Sequence, residues 1–188
     1  MHIAICRRLE HTFVSELSPY EVIGVPRDLH GARALAERDR YQFEWWALGK
    51  VGARPAQDKK KGADRGIDGY IFFFDDNSGT AKKIAVQVKS GHVTASQIRD
   101  LKGVMEREEA AIPAFVTLED PTKPMKQEAV TAVFYEPYHF PKVPKIQIRT
   151  IEELQEGTKK LEYPRLLDTT FKKAQRKKKG KQEEQIGF

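Results

Sequence analysis

The chain has 188 residues, 39% of them apolar and 32% charged, with a formal net charge of +6 at neutral pH and a pI near 9.3. That length can bury one good core and little more, and the single cysteine, Cys6, excludes an internal disulfide framework. No charged-then-apolar leader and no long apolar run is present, which argues against export and membrane insertion; the expectation is one main domain, cytoplasmic, with a basic excess suited to a polyanionic partner.

In chain order, Ile3 to Phe13 carry apolar groups at helical spacing, and Tyr20 to Val25 read as a short extended segment. Asp28 is placed to cap a helix through Ala32, Leu35 and Ala36, and Tyr41 to Gly49 makes a second, strongly apolar helix closed by its glycine. Ala53 to Gly66 is basic and aperiodic, which marks a loop. Ile67 to Phe74 and Lys83 to Val88 are β-rich runs around the turn-forming Asp75-Asp76-Asn77-Ser78-Gly79-Thr80, so a hairpin is predicted. Thr94 or Ser96 caps a helix through Ile98, Leu101 and Met105, and the apolar strand Ile112 to Thr117 follows. Beyond a proline-flanked loop come a helix over Met125 to Tyr135, a strand over Lys145 to Ile148 and a short helix over Ile151 to Leu154. This order predicts an α/β fold with a central mixed β-sheet flanked by helices, because a strand-helix-strand passage favours a right-handed parallel connection.

The chemistry concentrates on the hairpin. Gly66-Ile67-Asp68-Gly69 sets an acid at one strand tip, and Ala85-Val86-Gln87-Val88-Lys89 sets a polar-x-lysine pair on the next strand. Side chains alternate along a strand, so Gln87 and Lys89 emerge on one face while Val86 and Val88 turn to the other. Hydrolysing a phosphodiester requires neutralising charge on the phosphoryl oxygens and orienting a water in line with the leaving oxygen. Magnesium takes few protein ligands and keeps several waters; Asp68, the Gln87 side-chain oxygen and the Val88 backbone carbonyl can supply such a set, with Lys89 beside the attacking water. A glutamine in place of a carboxylate removes one negative charge from the metal site, and Glu44 on the preceding helix is the candidate supporting acid. The five histidines, His2, His11, His30, His92 and His139, show no paired ligand spacing, which disfavours zinc. Lys59, Lys60, Lys61, Arg65, Ser90 and Lys102 border the site as candidate phosphate contacts, which would position a duplex without reading its sequence.

Bland readings compete with each of these. Asp68 beside Gly69 is ordinary turn chemistry, and Gln87 with Lys89 can be the solvent face of an edge strand; the joint spacing favours a site. Asp64 reads as an exposed loop residue, Trp45 and Trp46 as core, and the basic run from Lys172 to Lys181 as a solvated end.

Phe43-Glu44 on a helix, then Gly62-Ala63-Asp64-Arg65-Gly66-Ile67-Asp68-Gly69, then Val86-Gln87-Val88-Lys89 resembles the Mrr-like restriction endonuclease domain of the PD-(D/E)xK nuclease superfamily, from about Tyr41 to Phe134. In that branch glutamine commonly stands at the second acidic position. The resemblance implies a restriction-endonuclease-like core and Mg2+-dependent cleavage of double-stranded DNA, with Mn2+ as a substitute ion. It puts Asp68 and Gln87 at the metal and makes Lys89 the catalytic lysine and Glu44 the accessory acid. Arg65 stands where the family usually has a second glycine, which changes the charge of the loop.

A second resemblance covers Met1 to Phe13, Tyr20-Glu21-Val22-Ile23-Gly24-Val25-Pro26 and Gly31-Ala32-Arg33-Ala34-Leu35-Ala36. These are similar to the end of an adenine or cytosine amino-methyltransferase domain running into the C-terminal extension of some bacterial modification enzymes. A link to restriction-modification and a DNA methyltransferase domain as partner follow from it. No glycine-rich cofactor loop and no Asp-Pro-Pro-Tyr-type motif is present, so methyl transfer by this chain alone is not expected. The implied division is an N-terminal helical segment over 1–38, a nuclease-like domain over 39–158 and a basic tail over 159–188. A homodimer is expected by analogy with enzymes that cut both strands. The rival reading is a catalytically inactive DNA-binding module of a DNA methyltransferase.

Overall fold

A computed structural model of the chain describes residues 24–56, 66–76, 78–165 and 167–168, with isolated positions 9, 12, 13 and 18. Most of the N-terminal helix and extended segment read from the sequence, Cys6, Lys59, Lys60, Lys61, Asp64, Arg65 and the run from Lys172 to Lys181 lie outside the described residues. Gly24 and Val25, at the end of the segment read as extended, form a turn with Gly24 at φ 84°.

Helix α1 (Leu29–Arg38) starts where Asp28 accepts from the Gly31 N–H at 2.7 Å, the short-polar capping that its position predicts. Asp39 repeats the device for α2 (Arg40–Val51), accepting from the Gln42 N–H at 3.0 Å. Helix α2 does not close at Gly49. It runs on to Val51 and stops at Gly52, whose φ of 71° supplies the left-handed conformation that ends a helix cheaply. The chain then reverses into β1 (Arg54–Pro55), a two-residue strand inside the stretch read as loop.

Strands β2 (Gly69–Phe74) and β3 (Lys82–Lys89) form the predicted hairpin, with Gly69 paired to Val86 and Phe73 to Lys82. Helix α3 (Ala95–Arg107) follows, with the Gln97 side chain accepting from the Thr94 N–H at 3.0 Å, which identifies Thr94 rather than Ser96 as the cap. Strand β4 (Ile112–Thr117) is buried on both faces, as a central parallel strand must be.

Helix α4 (Lys123–Val130) is shorter than the sequence predicts. Val133 takes φ 65°, which no helix accommodates, and Phe134–Tyr135 become β5, paired with β6 (Val143–Pro144). Strand β7 (Gln147–Thr150) sits two residues later than expected, and α5 (Ile151–Glu156) opens from a Thr150–Glu153 capping box. Strand β8 is Leu167–Asp168.

The sheet order is β1-β2-β3-β4-β7, with β8 also on β2. Pairings of β2 with β1, β3 and β8 are antiparallel, and those of β4 with β3 and β7 are parallel. The sheet is therefore mixed, with a helical layer on each face, as the α/β reading requires. On one face, α1, α2 and α5 cover Ile71, Ile84, Val86, Val88, Ala114 and Val116; on the other, α3 and α4 cover Phe115 and Ile146.

Packing crosses both position 38 and position 158. Ala32 and Leu35 of α1 share one core with Leu161, and the chain past 158 is sewn to the edge strand: Gln147 Nε2 donates to the Glu162 carbonyl at 2.6 Å, and Arg149 Nε to the Lys160 carbonyl at 2.8 Å. Among the described residues no helix is long and apolar enough to cross a membrane.

Candidate active site

Two glycines frame Asp68. Gly66 takes φ 68°, and a Cβ added there would lie 3.4 Å from Gln87 Nε2, so the backbone passes directly beside that amide. Gly69 is demanded by packing, since an added Cβ would fall 2.8 Å from the Arg54 carbonyl oxygen and 2.8 Å from Leu48 Cδ2. Only a residue without a side chain lets α2 and β1 close on β2 at that level.

Between the glycines, the Asp68 N–H donates to the Val86 carbonyl at 2.9 Å, and the Asp68 carbonyl accepts from the Ala56 N–H at 2.9 Å. The side chain takes the next rung: the Val88 N–H donates to Asp68 Oδ2 at 2.8 Å. A carboxylate thus stands where the backbone carbonyl of a longer β2 would stand, fixing the acid where β2 leaves β3. It has about four acceptor positions, of which this bond uses one.

Carried one residue outward, the Gly69–Val86 register sets Asp68 opposite Gln87, and residues directly opposite share a face. Lys89, two residues on, shares that face. The cores agree: Val86 and Val88 enter the layer of α1 and α2, whereas Phe115, paired with Gln87, enters that of α3 and α4. Gln87 and Lys89 are half-buried, and among the described residues neither side chain has a hydrogen-bond or ion-pair partner. Polar groups withdrawn from water without a partner carry a free-energy cost, which a bound ion, water or phosphate would remove.

Glu44 reaches the sheet from the opposite face. It is 6% exposed and ion-paired with Arg40 Nε at 3.3 Å, the partner that a buried carboxylate needs. It stands one helical turn before Leu48, whose Cδ2 crowds Gly69. Because the chain reverses at Gly52 into β1, that turn leads toward the Asp68 end of β2. The i,i+4 spacing of Arg40 and Glu44 was visible in the sequence as a pairing signal.

The remaining positions sort less uniformly. Ser90 follows β3 directly and is partly exposed. Lys102 is engaged elsewhere, donating to Glu128 Oε1 at 3.0 Å and Thr131 Oγ1 at 2.7 Å, a bridge from α3 to α4 that offsets its charge within the fold. Trp45 is not core but 41% exposed, whereas Trp46 leans on Phe43 with ring centroids 5.9 Å apart. His30, His92 and His139 are exposed, and among the described residues no group of three or more His, Cys, Asp or Glu is placed to hold a metal. Two features escaped sequence reasoning: Thr117, paired with Lys89, and a buried Asp75 bonded to Lys82 and Tyr135. Neither has a local signal, because both depend on which strands become neighbours.

The Mrr_cat family model, a restriction endonuclease, matches residues 39–134. This span holds α2, the hairpin, α3, β4 and α4, and so every described residue discussed above as part of the site. Neither a curated protein nor a solved structure matches the chain.

Proposed function

The chain belongs to the restriction endonuclease family, and from that premise we propose that it hydrolyses phosphodiester bonds of double-stranded DNA as a Mg2+-dependent endonuclease. The observation that carries this reading is the Asp68 carboxylate fixed opposite Gln87, with Lys89 on the same face and both polar side chains lacking protein partners among the described residues.

The donor set suits magnesium, which takes oxygen ligands and needs few from protein. Asp68 offers a carboxylate and Gln87 an amide oxygen. The Val88 carbonyl turns to the same strand edge as the Val88 N–H that meets Asp68, because both polar groups of one strand residue point to one edge. Bound there, the cation supplies Lewis-acid stabilisation of charge on the phosphoryl oxygens. Lys89 orients a water for in-line attack and offsets the negative charge that develops as it attacks. Glu44 is the accessory acid of this reading, standing in the opposite layer with its charge shared with Arg40. Lys59, Lys60, Lys61, Arg65 and Ser90 serve as phosphate contacts, without base readout.

The same proposal places the protein in restriction-modification, beside or joined to a DNA methyltransferase domain, and pairs two copies for double-strand cleavage. The resemblance of the first 36 residues supports the former, and the need for two cuts supports the latter.

A supercoiled-plasmid nicking assay with magnesium, manganese or chelator tests the core of the reading. Lys89→Ala should remove metal-dependent nicking while the thermal midpoint stays close to that of the parent. Undiminished nicking by this variant would rule out the assigned chemistry, and a parent that binds DNA but never nicks it would favour a purely docking module.

A further inference from the structure

A third polar group without a partner adjoins the first two. Thr117 ends β4 and pairs with Lys89 in the parallel β3–β4 register, so their side chains share the sheet face that carries Gln87. The residue is 0% exposed, and its Oγ1 is buried with no hydrogen-bond partner among the described residues. The strands are locked at this level, because the Leu118 N–H donates to the Lys89 carbonyl at 3.0 Å. Thr117 therefore cannot drift from Lys89 without breaking the ladder.

A buried hydroxyl without a partner is costly, and proteins most often satisfy such a group with an ordered water that makes about three hydrogen bonds. The ammonium of the paired Lys89 has three donors and no protein acceptor among the described residues. We propose that Thr117 is a positioning residue for Lys89, its hydroxyl sharing one ordered water with the ammonium and so fixing where that charge sits. This rests on the reading of Lys89 as the lysine of a phosphodiester-cleaving site and adds a residue to it. A lysine on a flexible four-carbon stem is a poor catalyst until something orders its head group. The shared water does that from a fully buried strand end.

Thr117→Val keeps the shape and deletes the hydroxyl, and Thr117→Ser keeps the hydroxyl. With magnesium and plasmid DNA, Thr117→Val should lower kcat roughly tenfold, the worth of one well-placed hydrogen bond, with KM for DNA unchanged. Thr117→Ser should stay within about threefold of the parent. A role in packing alone would lower the thermal midpoint without separating kcat from KM, and valine suits that buried position at least as well as threonine.

Exchange of the Lys89 ammonium protons with water, followed by NMR on lysine-labelled protein, gives a readout independent of cleavage. It should be faster in Thr117→Val than in the parent and unchanged in Thr117→Ser. Equal exchange in parent and Thr117→Val, or equal impairment of kcat by valine and serine, would overturn the assignment. A parent that nicks no DNA while the valine variant still speeds exchange would sink the nuclease reading and leave the positioning role standing.

Discussion

Asp68 serves the fold and, in the proposed reading, the site as well. Its Oδ2 substitutes for a ladder carbonyl toward the Val88 N–H, so the acid is held by the geometry that ends β2. Asparagine preserves an oxygen acceptor for that N–H, removes the charge and turns the second oxygen into an amide donor. Asp68→Asn should therefore fold like the parent, with a thermal midpoint lower by a few degrees at most, while losing metal-dependent nicking. Changes to groups that merely support a ligand typically cost 10- to 100-fold, so a direct ligand should cost roughly a hundredfold or more. The comparison is nicking rate against magnesium concentration for the two proteins. A variant matching the parent at every concentration would remove Asp68 from the ion's surroundings. The sequence made Asp68, Gln87 and Lys89 legible because hairpin register and alternation act over a few residues. It could not reveal that Glu44 arrives from the opposite layer, since the face a helix covers depends on how the whole sheet is assembled.

At the scale of elements, the hairpin, α3 and β4 were legible because short, strongly patterned runs carry their own boundaries. The failures differ in cause. Helix α2 passes Gly49 because Gly52 provides the left-handed cap, a local choice between two glycines. Helix α4 stops at Val130, short of Val133 at positive φ. Strand β7 hides its start because Gln147 and Arg149 are buried by bonds to residues 160–162, contacts that no local pattern shows.

The β5–β6 ribbon shows the benefit. Tyr135 hydroxyl and Lys82 Nζ both donate to Asp75 Oδ2, the lysine at 2.8 Å, which ties the ribbon to the hairpin through an aspartate only 2% exposed. Its other oxygen, Oδ1, is buried without a hydrogen-bond partner among the described residues. Burial, then the bond to Asp75, pushes Tyr135 up to about 12, and the bond to Asp75 raises Lys82, against the opposing pull of burial. Both groups hold their protons more tightly in the fold than in the unfolded chain, where they titrate near 10.0 and 10.5. The tyrosine's contribution is thus complete below about pH 10 and lost as pH rises through about 12, and the lysine's is lost as pH rises through its own raised pKa. Lys82 is partly exposed and adds a screened share. Thermal midpoints should hold up to about pH 10 and fall from there to about pH 12. Tyr135→Phe should start about 1–3 kcal/mol less stable, since Asp75 loses a donor, and should fall less steeply. Parallel pH curves for the two proteins would show that this tyrosine does not couple to the alkaline transition.

For the molecule as a whole, the net charge of +6 is a poor guide to where a polyanion would lie, because folding spends many cations internally. Arg40 is taken by Glu44, Lys82 by Asp75, Lys102 by Glu128 and Arg149 by Glu162. Charge paired in this way is screened from a duplex by its own partner. Lys59, Lys60 and Lys61, which precede Asp68 and β2, are then the concentrated positive charge best placed in sequence to meet phosphates near the site. Each phosphate neutralised on duplex DNA contributes about 0.9 to the slope of log affinity against log salt. Replacing the three lysines with alanine should weaken binding to duplexes of any sequence by a similar factor. It should also flatten the slope by about one to three units, depending on how many of the three meet phosphates. Nicking at saturating DNA should change little, since these side chains position the duplex rather than the water. Fluorescence anisotropy with two unrelated duplexes over a salt series reads both quantities. An unchanged slope would move the docking surface elsewhere, and a loss confined to one of the two duplexes would mean that the lysines read bases.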